Sequence, residues 1–227
     1  MRFHNVQVAL LVLGSILAAN AAIHAQTDVA LSLFGAFNQS TTGNNVSQSP
    51  SNQAGALVEV RHIVNPLIGF EATYSLNRAN QNYFVNAVPV ATPGCGVPCQ
   101  SATLSGTAPN NVHEVTADWV VSLKAGKFRP FALAGGGLLV NDPSGATVVT
   151  CNLLSGNCSI GSATTSVSAT GVLVYGAGLD WGLLPHLGLR LQYRGNLYKA
   201  SSLISAFSST GAFTHSAEPM VGAFFRF

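Results

Sequence analysis

Apolar and polar residues alternate with a period of two through much of this chain of 227 residues. A period of two sends successive side chains to opposite faces of a β-strand. The segment 186–198 shows it most clearly. Leu187, Leu189, Leu191 and Tyr193 share one face, and Gly188, Arg190, Gln192 and Arg194 share the other. Segment 66–77 sets Ile68, Phe70, Ala72 and Tyr74 against Gly69, Glu71, Thr73 and Ser75. Segment 112–125 sets Val115, Ala117, Trp119, Val121 and Leu123 against Glu114, Thr116, Asp118, Val120, Ser122 and Lys124. Segment 171–182 sets Tyr175, Ala177, Leu179 and Trp181 against Val174, Gly176, Gly178 and Asp180. The chain closes on a further alternation, Pro219, Val221, Ala223, Phe225 and Phe227.

The pattern predicts eight strands, over 27–38, 55–63, 66–77, 112–125, 127–141, 171–182, 186–198 and 216–227. Their lengths suit a tilted strand crossing a bilayer core, which takes about 9–11 residues. The connections alternate too. Short links fall at Asn65-Pro66, Ala125-Gly126-Lys127 and Leu183-Leu184-Pro185, and long ones at 39–54, 78–111, 142–170 and 199–215. Short turns at one end and long loops at the other are the rhythm of a membrane β-barrel. In a barrel of that kind the apolar face meets lipid and the polar face lines the lumen. The aromatic residues then fall into two girdles, Trp181 and Phe227 near one rim and Tyr74, Tyr193 and Tyr198 towards the other.

Residues 1–25 read as a secretory signal peptide. Arg2 opens it, Val8 to Leu17 is apolar, and small residues precede a cut after Ala25. Its apolar core is too short for a membrane helix. The mature domain is 26–227, with nine Lys and Arg against eight Asp and Glu once Arg2 is removed. That balance gives no reason to expect nucleic acid. Charged residues make up 8% of the chain, against about 25% in typical soluble domains. No later segment is an apolar run of helix length, so low charge and 23 glycines favour a barrel.

Signal peptide, eight alternating segments, "FRPFALAGGGLLV", "VYGAGLDWGLLPHLGLRLQYRG" and the closing "VGAFFRF" together resemble the outer-membrane β-barrel domain family, the OmpA-like small barrels. The resemblance implies an all-β, eight-stranded antiparallel up-and-down barrel in the bacterial outer membrane. It implies contact with outer-membrane lipid and insertion by the barrel-assembly machinery, which would read Phe225 and Phe227 in the last strand. It implies a structural or surface-recognition role, with a small porin or gated channel as the alternative. A lipid-modifying enzyme is a more distant one, and no cofactor is expected. No peptidoglycan-binding domain is expected after the barrel. At the level of fold the rival is a soluble secreted barrel such as a lipocalin.

Candidate chemistry concentrates on the polar face. Glu59, Arg61, Glu71, Glu114, Asp118, Asp180, Arg190 and Arg194 all point into the expected lumen. An eight-stranded barrel is narrow enough for side chains to fill it. The charges should therefore pair, with Glu71 and Arg190 meeting across the lumen, and rearranged pairs would be the gate of a channel. His215-Ser216 with Glu218 is the one constellation that invites a hydrolase reading, but neighbours in a strand point to opposite faces. Gly135-Gly136-Gly137 sits inside a strand and is no phosphate loop; it is expected to mark a bend or close approach and to make room for aromatic rings. The cysteines pair locally as Cys95 with Cys99 and Cys151 with Cys158, in an oxidising compartment. Cross-loop pairing and a zinc site are the alternatives. The long polar loops are the remaining surface for an external ligand.

Overall fold

The structure is a computed structural model and describes residues 26–64, 67–90, 100–153 and 155–227, the side chains of 86–90, 100 and 101 aside. The expected leader 1–25, the link Asn65-Pro66 and the pair Cys95 and Cys99 lie outside the described residues. Twelve strands form one sheet. They are β1 (Gln26–Asn38), β2 (Thr41–Gly43), β3 (Val46–Pro50), β4 (Gln53–Ile63), β5 (Ile68–Val90), β6 (Gln100–Ser122), β7 (Phe128–Pro143), β8 (Thr147–Asn152), β9 (Cys158–Ser162), β10 (Ser168–Gly182), β11 (Leu187–Lys199) and β12 (Phe213–Arg226).

Eight of the twelve make the barrel. The order is β1, β4, β5, β6, β7, β10, β11 and β12, and β12 pairs back onto β1 to close it. Every neighbouring pair is antiparallel. Closure leaves no free edge within the wall, which is what a strand protein needs where water cannot satisfy the backbone. The turns at one end are short. At 123–127, Gly126 takes a φ of 63°, and Ala125 and Phe128 exchange backbone hydrogen bonds around it. At the same end Phe227 N–H donates to Thr27 O, so both ends of the barrel chain meet there.

The faces sort as the alternation requires. Leu31, Leu33, Tyr74, Val115, Trp119, Leu173, Tyr175, Leu191, Tyr193 and Val221 are exposed on the outside, while Arg61, Arg190 and Arg194 are wholly buried within. An apolar exterior around a charged interior is a surface made for lipid. The chain is thus an eight-stranded antiparallel β-barrel of the outer-membrane type. At the short-turn end Phe128 stacks with Trp181 and Phe225 meets Phe227 edge to face. Tyr198 departs from the expected girdle. It follows the parity of Arg190 and Arg194, lies partly buried on the lumen side, and packs beside Val112 against an inner apolar cluster.

The long connections differ from the polar loops expected. Residues 78–90 and 100–111 continue the hairpin of β5 and β6, each strand running for 23 residues with one register shift between Val85 and Val88. β3 adds to the upper part of β5, and β8 to the upper part of β6. β2 and β9 form the two edges of this extension of the sheet beyond the barrel mouth, and Cys151–Cys158 ties β8 to β9. The segment 200–212 tucks against this sheet. Its Ile204 and Phe207 are buried with Val46, Tyr83 and Ala108 in an apolar core of their own. Hence the outer end is an ordered cap rather than four separate loops.

Candidate functional site

Inward-facing positions of all eight wall strands build the lumen. Asp28 comes from β1, Glu59 and Arg61 from β4, Glu71 from β5, Glu114 and Asp118 from β6. Arg129 comes from β7, Asp180 from β10, Arg190 and Arg194 from β11, and Glu218 from β12. Three wholly buried guanidinium groups organise the carboxylates. Arg190 donates from Nε to Asp180 Oδ1 at 2.6 Å and from Nη2 to Asp28 Oδ1 at 2.9 Å, and its Nη1 pairs with Glu59. Arg61 donates from Nε to Glu71 Oε2 at 2.7 Å and from Nη1 to Asp180 Oδ2 at 3.3 Å. Arg194 lies further from the short turns. It donates to Glu114 Oε1 at 3.3 Å, Thr73 Oγ1 at 3.2 Å and Thr116 Oγ1 at 3.1 Å, with Asp118 at 3.7 Å and Glu71 at 3.8 Å.

The expected contact of Glu71 with Arg190 across the lumen gives way to shorter pairings. Arg61 stands opposite Glu71 in the β4–β5 register, and Asp180 stands opposite Arg190 in the β10–β11 register. A directly opposed pair on neighbouring strands is separated by about 5 Å at Cβ. Arg61 and Arg190 therefore each reach a cross-strand partner first and span the lumen with their remaining nitrogens. Asp28 belongs to this centre although the sequence reading passed over it. Its position is two residues before Ala30 and four before Ser32, both on the buried face of β1, and that parity was the available signal.

Apolar side chains close the space around the charges. Phe131 lies under Arg61, with the guanidinium carbon 3.9 Å from the ring centroid, and Phe224 lies 5.2 Å from that of Arg190. Such contacts favour a desolvated cation. Val120, Leu133, Leu139, Val172 and Val174 fill one side of the lumen, and Phe34, Leu57 and Met220 fill another. The interior is a packed core rather than a water-filled channel.

Glycines set how closely the wall can draw in. A Cβ on Gly135 would run into the Ala117 carbonyl, and one on Gly137 would run into the Val115 carbonyl and stand 2.7 Å from Thr116 Cα. The glycine run thus marks the close backbone approach expected of a strand-interior glycine, Gly135 and Gly137 towards β6 and Gly136 towards β10, and does not seat aromatic rings. Ring seats occur elsewhere. Phe131 lies over Gly178 and Phe224 over Gly188 in the lumen, while Tyr175 lies over Gly195 on the outside.

The hydrolase constellation does not assemble. Ser216 Oγ donates to Glu218 Oε1 at 3.2 Å inside the barrel, and both are buried. His215 faces the other way, its Nε2 bonded to Tyr175 Oη at 2.9 Å on the outer surface. The wall separates the imidazole from the hydroxyl it would have to activate. Outside, Tyr74 and His113 form a similar pair at 2.8 Å. Among the described residues no three His, Cys, Asp or Glu side chains gather as a metal cluster.

Above the charged centre the cap is held by polar contacts to its backbone. Leu203 N–H donates to Tyr83 Oη at 2.9 Å, and Gln48 Nε2 donates to Ser201 O at 3.2 Å. Burial pushes the Tyr83 phenol up to about 12, so the hydroxyl stays neutral and keeps both its donor and its acceptor roles. Tyr83→Phe should loosen segment 200–212 by about 1 kcal/mol, the worth of one such bond. Hydrogen exchange in that segment should rise about fivefold, with the urea midpoint of the barrel unchanged. Faster exchange throughout the wall would show that cap and barrel are one unit.

No family model matches the chain, and no curated protein matches it in sequence. Several solved outer-membrane structures resemble it in shape. Ail, the attachment invasion locus protein of Yersinia pestis, in complex with the heparin analogue sucrose octasulfate, is 14% identical over 90% of this chain and 100% of its own, with a TM-score of 0.46. Neisserial surface protein A is 13% identical over 92% of this chain and 100% of its own, at 0.47. OprG of Pseudomonas aeruginosa is 12% identical over 89% of this chain and 95% of its own, at 0.47. All three fall below 0.5, so the assignment to the barrel architecture rests on the closed register and inside-out faces of this chain itself.

Proposed function

We propose that this is a bacterial outer-membrane barrel with a structural or surface-recognition role and no enzymatic activity. The observation that carries the proposal is the combination of an apolar exterior, a lumen filled by paired charges and aromatic rings, and an ordered cap at the long-loop end. A filled lumen favours a scaffold over a conduit. The cap favours presentation of a shaped surface, since binding residues are commonly carried on segments that a rigid frame holds in place. The short-turn end then faces the periplasm and the cap faces outward. Phe225 and Phe227 are exposed on the outside of the barrel near the short turns, and on this reading they are the residues that the barrel-assembly machinery would recognise during insertion.

The test combines fractionation with electrical recording. The protein should sediment with outer membranes and shift on an unheated gel relative to a boiled one. In a planar bilayer the purified barrel should pass no steady current. Recovery as a soluble protein that shows no heat shift would overturn the membrane reading. A steady conductance that changes in Arg190→Ala would replace the filled scaffold with a gated channel.

A further inference from the structure

The charges inside the barrel do not balance. Of the eight Asp and Glu in the sequence, seven are buried in the lumen, against four buried arginines. The imbalance is concentrated at the outer end. Near the short turns Arg61 and Arg190 serve Asp28, Glu59, Glu71 and Asp180, with Arg129 beside them. Towards the cap Arg194 is the single buried cation for Glu114, Asp118 and Glu218, leaving a local formal charge of −2. An uncompensated buried charge costs several kcal/mol.

Next to Arg194 the lumen opens into a cavity lined by Glu114, Glu218, Asn196, Asn77, Ser216 and Tyr198, among others. About 20 Å³ of it admits the centre of a water-sized sphere, more than the 10–15 Å³ or so that one small occupant needs. Its donors are oxygens. Glu218 is 4% exposed and Asn196 is 1% exposed. Glu218 Oε2 and Asn196 Oδ1 have no hydrogen-bond partner among the described protein atoms, nor has the buried Asn77 Oδ1. Asn196 is held by its other end, with Nδ2 donating to Glu114 Oε2 at 2.9 Å. The Ser216 hydroxyl holds the other oxygen of Glu218. Glu218 and Asn196 are thus fixed in place, each with one oxygen left over at the cavity.

We infer that this cavity is a binding site for one hard divalent cation of the Ca²⁺ class. Glu218 and Asn196 would be the principal ligands, and Glu114, Asn77 and water would complete the set. Such a cation takes six to eight oxygen ligands from carboxylates, amides and water. Its charge would supplement Arg194 beside the two lining carboxylates, Glu114 and Glu218, and the absence of sulfur and imidazole from the lining selects against softer metals. Asn38, at the outer end of β1, and Pro50, at the barrel-side end of β3, also line the cavity, so it reaches up to the base of the cap. The ion would tie β6, β11 and β12 together beneath the cap. It would thereby join the wall to the surface that the protein presents.

Isothermal titration with CaCl₂ tests the site on protein refolded in a zwitterionic detergent without phospholipid or lipopolysaccharide, with Tb³⁺ luminescence as a second probe. The expected result is one Ca²⁺ per chain, with affinity at least tenfold weaker in Glu218→Gln and unchanged in Asp142→Asn, whose carboxylate lies outside the lumen. Tyr198 lines the cavity and should sensitise bound Tb³⁺. Tyr198→Phe should lose most of that emission while retaining Ca²⁺ binding by heat. Should Glu218→Gln fail to fold, Asn196→Ser carries the same expectation of weaker binding. No uptake by the native protein at millimolar Ca²⁺ would overturn the proposal. So would affinity unchanged by either lumen substitution, or Tb³⁺ emission indifferent to Tyr198.

Discussion

Arg190→Ala should cost the barrel about 3–5 kcal/mol, the usual cost of removing one partner from a buried ionic cluster. The substitution leaves Asp28, Glu59 and Asp180 without the guanidinium that bridges them, in a space where all three are buried. It also takes the cation from the face of Phe224. Urea titration of the refolded protein, followed by loss of the heat-shifted gel band, should show a lower midpoint with an unchanged slope. Arg190→Lys should recover only part of the loss, because a point charge cannot fork to three carboxylates as a planar guanidinium does. Arg190→Met combined with Asp180→Asn should be less damaged than Arg190→Ala alone, since it removes a charge from each side of the balance. A loss below about 1 kcal/mol for Arg190→Ala, the range of exposed pairs, would mean that water reaches the cluster.

Gly137→Ala should be almost as severe, although it adds a single methyl group. The new Cβ would meet the backbone of β6 at Val115 and Thr116, and no rotamer change can relieve a clash with a carbonyl. Overpacking of a tight core costs about 1–3 kcal/mol, and this position belongs at the upper end because backbone must move. The register of thirteen β6–β7 pairs spans the site, so displacement there pulls on wall closure. Gly171→Ala is the control: nothing lies within 4 Å of its Cβ. Its urea midpoint should stay within the scatter of an ordinary surface change, about 0.5 kcal/mol. If Gly137→Ala matched that control, the close approach of β7 to β6 would not be a determinant of closure.

The wall was legible because alternation is a local signal. Each strand carries its own record of which face meets lipid, and Leu187 to Arg194 shows it in eight residues. Parity alone also identified most lumen charges. It would have added Asp28 and moved Tyr198 inside had it been followed through the strand ends. The partners were harder to read. Pairing Glu71 with Arg190 considered height in the barrel and ignored register, whereas Arg61 and Asp180 are fixed by cross-strand neighbours. The cap left no periodic trace at all. Stretches such as Asn80-Gln81-Asn82 and Ser105-Gly106-Thr107 have loop composition. They become strand because β3 and β8 add to their edges and because Ile204 and Phe207, far away in sequence, cover Tyr83 and Gly106.

Folding removes carboxylates from view far more than it removes cations. With seven of the eight acids inside, Asp142 is the carboxylate that remains outside the lumen. Arg78, Lys124, Lys127, Lys199 and Arg226 stay out of the fully buried set. The charge of the whole chain, close to neutral, is therefore a poor guide to what an approaching molecule meets. Among the described residues outside the buried lumen set, five cations stand against one anion, so the groups that an approaching molecule can touch are mostly basic. Acidic groups brought into contact with that surface would find cations to pair with more often than the composition of the chain suggests.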